Sequence, residues 1–288
     1  MIDTSNMRLD LIESEPPTSS NEDPMVQVGL PQSQLSGVDG IDVSQIQRCV
    51  DYEAVAKDNA YAWIEAGVGP MHSHSESTPD PVAKTHFVGF MKAKMIPGFY
   101  FFGKPGDSRG PEAQAKEFFD FCCAARGAVA KPATLNDDGT EKTASVAAVG
   151  WAPGELPPML DLEVYDGLSV TAVEAWMRRF LSQADALFGT KCGVYSYTSF
   201  FVLLAPIAAR NESFWSGRLV CAAQYDGVAH RQRPFDAPTF QQYDGNEGRV
   251  NGVLDANKKP VACDRDRFVG TLDVLRELCG EAQAVSAL

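Results

Sequence analysis

From Gly37 onward, short apolar runs alternate with longer stretches in which apolar residues return every three or four positions. The first kind reads as strand and the second as amphipathic helix, and their alternation predicts βα units around a mainly parallel sheet. The runs are Gly40 to Val43, Ala60 to Val68, Met95 to Phe102, Pro158 to Val164, Cys192 to Tyr197, Leu219 to Tyr225, Thr239 to Tyr243 and Val261 to Asp264, and eight of them predict a closed α/β barrel. Between them, Ala113 to Ala125 carries helical spacing, and so does the stretch from Thr171. There Thr171 and Glu174 form a T-x-x-E capping box, Val173, Met177, Phe180, Ala184 and Leu187 mark the buried stripe, and Gly189 supplies the stop. Arg267 to Cys279, with Phe268, Leu272, Leu275 and Leu278, predicts a closing helix, whereas Leu203 to Ser216 is ambiguous. The links between the last three runs are too short for crossover helices, so the barrel is expected to be irregular in its last third.

Two insertions and an arm interrupt this pattern. Pro70 to His86 follows the second run and falls on the barrel face where active-site loops gather, while Gly127 to Pro157 precedes the fourth run and starts from the opposite face. Residues 1–36 hold no aromatic residue, four prolines and many Ser, Asn, Asp and Glu. Such a segment buries too little surface to offset its ordering entropy. The expected organisation is therefore a flexible N-terminal arm over 1–36 and one barrel domain over 37–288.

Composition narrows the partners. The chain has 288 residues, 44% of them hydrophobic, enough for a large core, and a formal charge of −13 that argues against a nucleic-acid partner. Its seven cysteines are odd in number, lie mostly in apolar runs and include no CxxC pair, so they read as reduced core thiols. Met1 to Pro17 lacks the basic start and apolar stretch of a signal peptide, and no run of about eighteen apolar residues occurs. Synthesis in the cytoplasm without a signal peptide, and no membrane insertion, are expected.

The stretch Pro157 to Val164 is the most informative for chemistry. Side chains alternate along a strand, so Asp161 and Glu163 share one face while Leu160, Leu162 and Val164 share the other. With the apolar side packed on helices, the two acids point into the barrel mouth at the strand's C-terminal end. A lone pair of this kind is more often a solvated strand end. Two further acids change that: Asp42 shares the inward side of the first run with Gly40 and Ser44, and Asp264 ends the last run. Carboxylates crowded at one rim raise the pKa of at least one, which keeps a proton available near neutral pH. Glycoside cleavage needs such a donor beside a second carboxylate that stabilises positive charge at the sugar carbon.

In sequence order, Asp39-Gly40-Ile41-Asp42-Val43-Ser44, Gly98-Phe99-Tyr100-Phe101-Phe102, Leu160-Asp161-Leu162-Glu163, Val194-Tyr195-Ser196-Tyr197-Thr198, Ala223-Gln224-Tyr225 and Gln241-Gln242-Tyr243 resemble the successive strand motifs of the glycoside hydrolase family 25 muramidases, or Chalaropsis-type lysozymes. The resemblance spans Gly37 to Phe268. It implies an irregular TIM-like (β/α)5(β)3 barrel that hydrolyses the β-1,4 bond between N-acetylmuramic acid and N-acetylglucosamine in peptidoglycan, with no cofactor. By position, Glu163 matches the general acid, Asp161 its partner and Asp42 the acid of the first strand. Asp264 matches the aspartate of a closing D-x-N-x-F segment, which here reads Asp264-Arg265-Asp266-Arg267-Phe268, with Asp266 in place of Asn. Glu65 stands where Lys or Arg is common, and Phe240 where Trp is usual. Tyr100, Tyr197 and Gln242 are the substrate-binding candidates because they hold motif positions, while Phe102, Tyr195, Tyr225 and Tyr243 suit either sugar stacking or core packing. Either a carboxylate nucleophile or the substrate's acetamido group is compatible with the second step.

Two other readings compete: a non-catalytic wall-binding or virion structural protein on the same barrel, and a hydrolase of another acetamido-sugar polymer such as chitin. Without a signal peptide or wall-binding repeats, the chain resembles a phage endolysin more than a secreted enzyme. Its expected partners are peptidoglycan glycan strands and a phage pore protein or virion component that brings it to the wall, or release on lysis. His72, His74 and His86 fall in the first insertion, but that loop has no cysteine and no zinc-ligand spacing, so no metal is expected.

Overall fold

The computed structural model describes residues 37–70, 77–127, 134–135, 141–143, 148–225, 234–235, 240–245 and 248–280, and the expected arm over 1–36 lies outside them. Eight strands form the barrel: β1 (Val38–Val43), β2 (Tyr61–Val68), β3 (Ile96–Phe102), β4 (Met159–Asp161), β5 (Gly193–Tyr197), β6 (Val220–Ala223), β7 (Phe240–Asp244) and β8 (Asp264–Phe268). Neighbours from β1 to β7 pair in parallel, and β8 runs antiparallel to both β7 and β1. Because β1 also pairs with β2, the sheet closes on itself and none of the eight keeps a free edge.

Four helices follow the strands and cover the outside: α1 (Ala83–Lys92), α2 (Gly110–Arg126), α3 (Val170–Phe188) and α4 (Thr198–Ala208). The start of α3 differs from the capping box read in the sequence. Ser169 is the cap, its hydroxyl accepting from the Ala172 N–H at 3.2 Å. Glu174 has a different task. It is buried, and its Oε1 accepts from Asn211 at 3.1 Å, from the Trp215 indole at 3.0 Å and from Arg178 at 2.9 Å. A carboxylate committed to those donors is not available to the helix's first N–H. Gly189 ends α3 as expected, in the left-handed conformation with φ 68°. The ambiguous stretch after Leu203 completes α4, then makes a 3-10 turn and the short helix Glu212–Trp215, which Trp215 anchors in the core.

The end of the chain also differs from its pattern. Residues Val261 to Cys263 precede the last strand, and Arg267 and Phe268 belong to that strand, not to the closing helix. Asp264, Asp266 and Phe268 are its buried positions, and the charged Arg265 and Arg267 alternate with them. With charge on both faces, the strand's period of two has no apolar signature. The closing helix α5 (Leu272–Leu278) begins only after Thr271, whose hydroxyl accepts from the Val274 N–H at 3.3 Å.

Packing divides into two cores. Outside the sheet, Ile41, Ile64, Phe101, Leu160 and Leu162 meet helix residues such as Phe118, Met177 and Phe180. Inside the barrel, Tyr61, Trp63, Met159, Cys221, Phe240 and Phe268 form a plug, joined by Leu156 and by Leu275 and Cys279 at the α5 end. Phe240 makes edge-to-face contacts with Tyr61 at 5.4 Å and Trp63 at 5.6 Å between ring centroids, so a Phe suits this position. The end of the Gly127 to Pro157 insertion lies at the barrel's bottom, where Leu156 N–H donates to the Pro97 carbonyl at 2.8 Å and Gly154 N–H to that of Cys279 at 2.7 Å. All seven cysteines are free thiols, six of them buried.

Gly40 makes room for this plug, since a Cβ there would lie 2.3 Å from the Tyr61 ring. Gly40→Ala is expected to lose about 1–3 kcal/mol of stability in urea unfolding. Unchanged stability would show that the Tyr61 ring is not held against β1.

Candidate active site

The seven parallel strands end, and antiparallel β8 begins, at one rim of the barrel. Asp264 therefore opens its strand instead of ending it, yet it is the register partner of Asp42 near the end of β1. The four acids Asp42, Asp161, Glu163 and Asp264 line one pocket together with Tyr100 and Gln242. Asp266 lines it too, because residues two apart on β8 share a face. Trp63, Met159, Tyr195 and Cys221 complete the wall, around about 400 Å³ of space that is partly open to solvent.

The strand end that carries Asp161 and Glu163 is clamped from both sides. Gly103 N–H donates to the Asp161 carbonyl at 2.8 Å from the β3 side. From β5, the Tyr195 carbonyl accepts from Leu162 N–H at 3.0 Å, and the buried Ser196 hydroxyl donates to the Leu162 carbonyl at 2.6 Å. Glu163 lies two residues past the end of β4 and is half-buried, while Asp161 is buried. Tyr197 donates to Glu163 Oε2 at 3.1 Å. It acts on the site through this carboxylate, away from the pocket wall.

Gln242 organises the opposite side. Its Nε2 donates to Asp42 Oδ2 at 2.8 Å and, more weakly, to Asp264 Oδ2 at 3.4 Å. Its Oε1 accepts from the hydroxyls of Tyr195, at 2.9 Å, and Tyr225. Carboxylates only accept, so the amide turns its NH2 end toward the acids, and a neutral side chain bridges two carboxylates. Burial, then the nearby Glu163, raises the Tyr195 hydroxyl well above its ordinary pKa, and burial and Asp264 do the same for Tyr225. Both remain protonated donors.

Asp266 is the deepest of the acids at 1% exposure. Burial first, and the Asp264 carboxylate second, push its pKa well above the usual carboxylate range. Its register partner on β1 is Gly40, which offers no side chain, and its Oδ2 has no hydrogen-bond partner among the described residues.

Tyr195 and Tyr225, left open between stacking and core, are the Gln242 partners, a relation that needs the register of β5, β6 and β7. Trp63 went unremarked in the sequence, although its spacing of two from Tyr61 marks it as inward-facing. Tyr243 lies off the pocket with the Arg265 and Arg267 guanidiniums 5.3 and 4.9 Å from its ring centroid, and Lys104 lies over Phe102 at 4.6 Å. Glu65 is buried on β2, outside the pocket wall. His72 and His74 lie outside the described residues. His86 is buried against the Tyr52 hydroxyl, 3.1 Å from Nδ1, and burial lowers its pKa to about 4. Among the described residues, no group of three or more His, Cys, Asp or Glu is arranged to hold a metal ion.

No protein-family model and no curated protein sequence matches the chain. Solved structures do. A muramidase from Trichobolus zukalii is 25% identical with a TM-score of 0.63, over 85% of this chain and 100% of the other. A family GH25 lysozyme from Aspergillus fumigatus is 21% identical with a TM-score of 0.58, over 85% and 99%. The catalytic domain of an endolysin from a bacteriophage of Listeria monocytogenes is 19% identical with a TM-score of 0.57, over 85% and 98%. The barrel of this chain is thus the barrel of those proteins.

Asp266 makes stability depend on pH. A carboxyl whose pKa rises on folding contributes fully below its ordinary value of 3.8, and that contribution is lost as pH climbs toward the raised value, at up to about 1.4 kcal/mol per pH unit. Asp266→Asn removes the titration, so its stability relative to the parent is expected to rise between pH 4 and pH 7 in urea unfolding. A difference that stays constant over that range would mean that Asp266 is ionised in the folded protein.

Proposed function

We propose that this protein is a muramidase of glycoside hydrolase family 25, hydrolysing the β-1,4 bond between N-acetylmuramic acid and N-acetylglucosamine in peptidoglycan, with Glu163 as general acid. The observation that carries this reading is the convergence of Asp42, Asp161, Glu163 and Asp264 on one pocket of a barrel shared with lysozymes and muramidases. In this scheme Glu163, oriented by the Tyr197 hydroxyl, gives its proton to the departing glycosidic oxygen. Asp161 faces the positive charge that develops at the sugar carbon, and Asp42 and Asp264, held by Gln242, add negative potential in a partly dehydrated pocket. Tyr100 on the wall and Gln242 contact the sugar. Once deprotonated, Glu163 serves as base for the incoming water.

No helix of the described residues is long and apolar enough to cross a membrane. Release on lysis, passage through a phage pore or delivery in a virion suits such a chain, and an endolysin domain is among the similar structures.

Purified peptidoglycan treated with the protein and then reduced with borohydride is expected to yield muramitol ends, and Glu163→Gln to lower their release by about 10²–10⁴-fold. Glucosaminitol ends would reassign the bond cut. Sedimentation with walls and no new ends from either protein would make it a non-catalytic wall binder.

A further inference from the structure

The catalytic scheme leaves two polar groups of the pocket unused. Asp266 and Trp63 both line it, at 1% and 3% exposure. Asp266 Oδ2 and Trp63 Nε1 are each buried without a hydrogen-bond partner among the described residues. Buried polar groups in native proteins are nearly always paired, and a pocket whose own groups are unpaired selects the ligand that pairs them. We propose that Asp266 and Trp63 form a two-donor seat for a carbonyl oxygen of the bound glycan, the amide carbonyl of an acetamido group. This inference rests on the glycan-hydrolase reading of the pocket and adds a selectivity to it.

An indole N–H only donates. Asp266 donates only as a neutral acid, and its surroundings hold it in that form. Asp264 on its own strand, Cys263 just before it, Tyr61 on β2, Cys221 on β6 and Tyr243 on β7 are the titratable groups that interact with it. None of these is a cation. Arg265 and Arg267 alternate to the other face of β8, over Tyr243, where Arg267 pairs with Asp39 at 2.8 Å. An ionised Asp266 would be a buried charge among acids, whereas the neutral form presents an O–H, and buried acids kept neutral do serve as donors. Two donors suit a group that only accepts. An amide carbonyl satisfies both, while the ammonium of a de-N-acetylated sugar satisfies neither.

The test uses a Glu163→Gln parent, so that bound saccharide is not cut. The ligand is a tetrasaccharide of alternating N-acetylglucosamine and N-acetylmuramic acid, compared with its de-N-acetylated counterpart. Adding Asp266→Leu is expected to weaken binding of the N-acetylated ligand by about 5- to 100-fold and to leave the weak binding of the other unchanged. Asp266→Asn, which keeps an N–H donor, is expected to restore most of the loss and to remove the fall in affinity at alkaline pH. Carbon-13 spectra of labelled aspartates are expected to show one neutral carboxyl at pH 7 that is missing from the Asn variant. A folded Leu variant that binds like the parent, an Asn variant as weak as Leu, or no neutral carboxyl overturns the seat alone. A parent that binds neither saccharide overturns the glycan reading, and the seat falls with it.

Discussion

Closure of the sheet through an antiparallel last strand is the constraint on which the site depends. With β1 hydrogen-bonded to β2 on one side and β8 on the other, the barrel faces Asp42 with Asp264, and Asp161 enters the same pocket from β4. Like charges gathered at one mouth repel, and a partly buried mouth magnifies the repulsion. Among the described residues, no lysine or arginine lines this pocket. The compensation comes from neutral donors: the Gln242 amide between Asp42 and Asp264, and the Tyr197 hydroxyl on Glu163. Neutral donors hold carboxylates in place without cancelling their charge. A site that stabilises a developing cation requires that combination.

Much of this was legible in the sequence, because strands buried on both faces leave dense apolar runs and because Leu160 and Leu162 flank Asp161 in strict alternation. What escaped detection did so for specific reasons. Strand β8 carries acids inward and arginines outward, so no apolar periodicity marks it, and Phe268 seemed to open a helix. Glu174 matched a capping pattern, but its actual partners, Asn211 and Trp215, are remote in sequence. Between Asp264 and Asp266 the sequence posed a choice that the geometry does not require, since both face the pocket at different depths. The partners of Gln242 come from β1, β5, β8 and the end of β6, and only register brings them together.

Fold and function rest on different observations here. The shared barrel, at identities of 19–25% to the structures compared, gives architecture. The reading as a hydrolase comes from the side chains that this barrel turns inward: a clamped strand end bearing Asp161 and Glu163, a neutral bridge across Asp42 and Asp264, and an apolar floor of Trp63, Met159 and Cys221.

The most direct measurement is a crystal structure of the Glu163→Gln variant with a peptidoglycan tetrasaccharide bound. The account predicts the glycosidic oxygen about 3 Å from the residue 163 side chain, with Asp161 facing the adjacent anomeric carbon. A saccharide seated away from this pocket, or one whose bridging oxygen has no contact with residue 163, would contradict it.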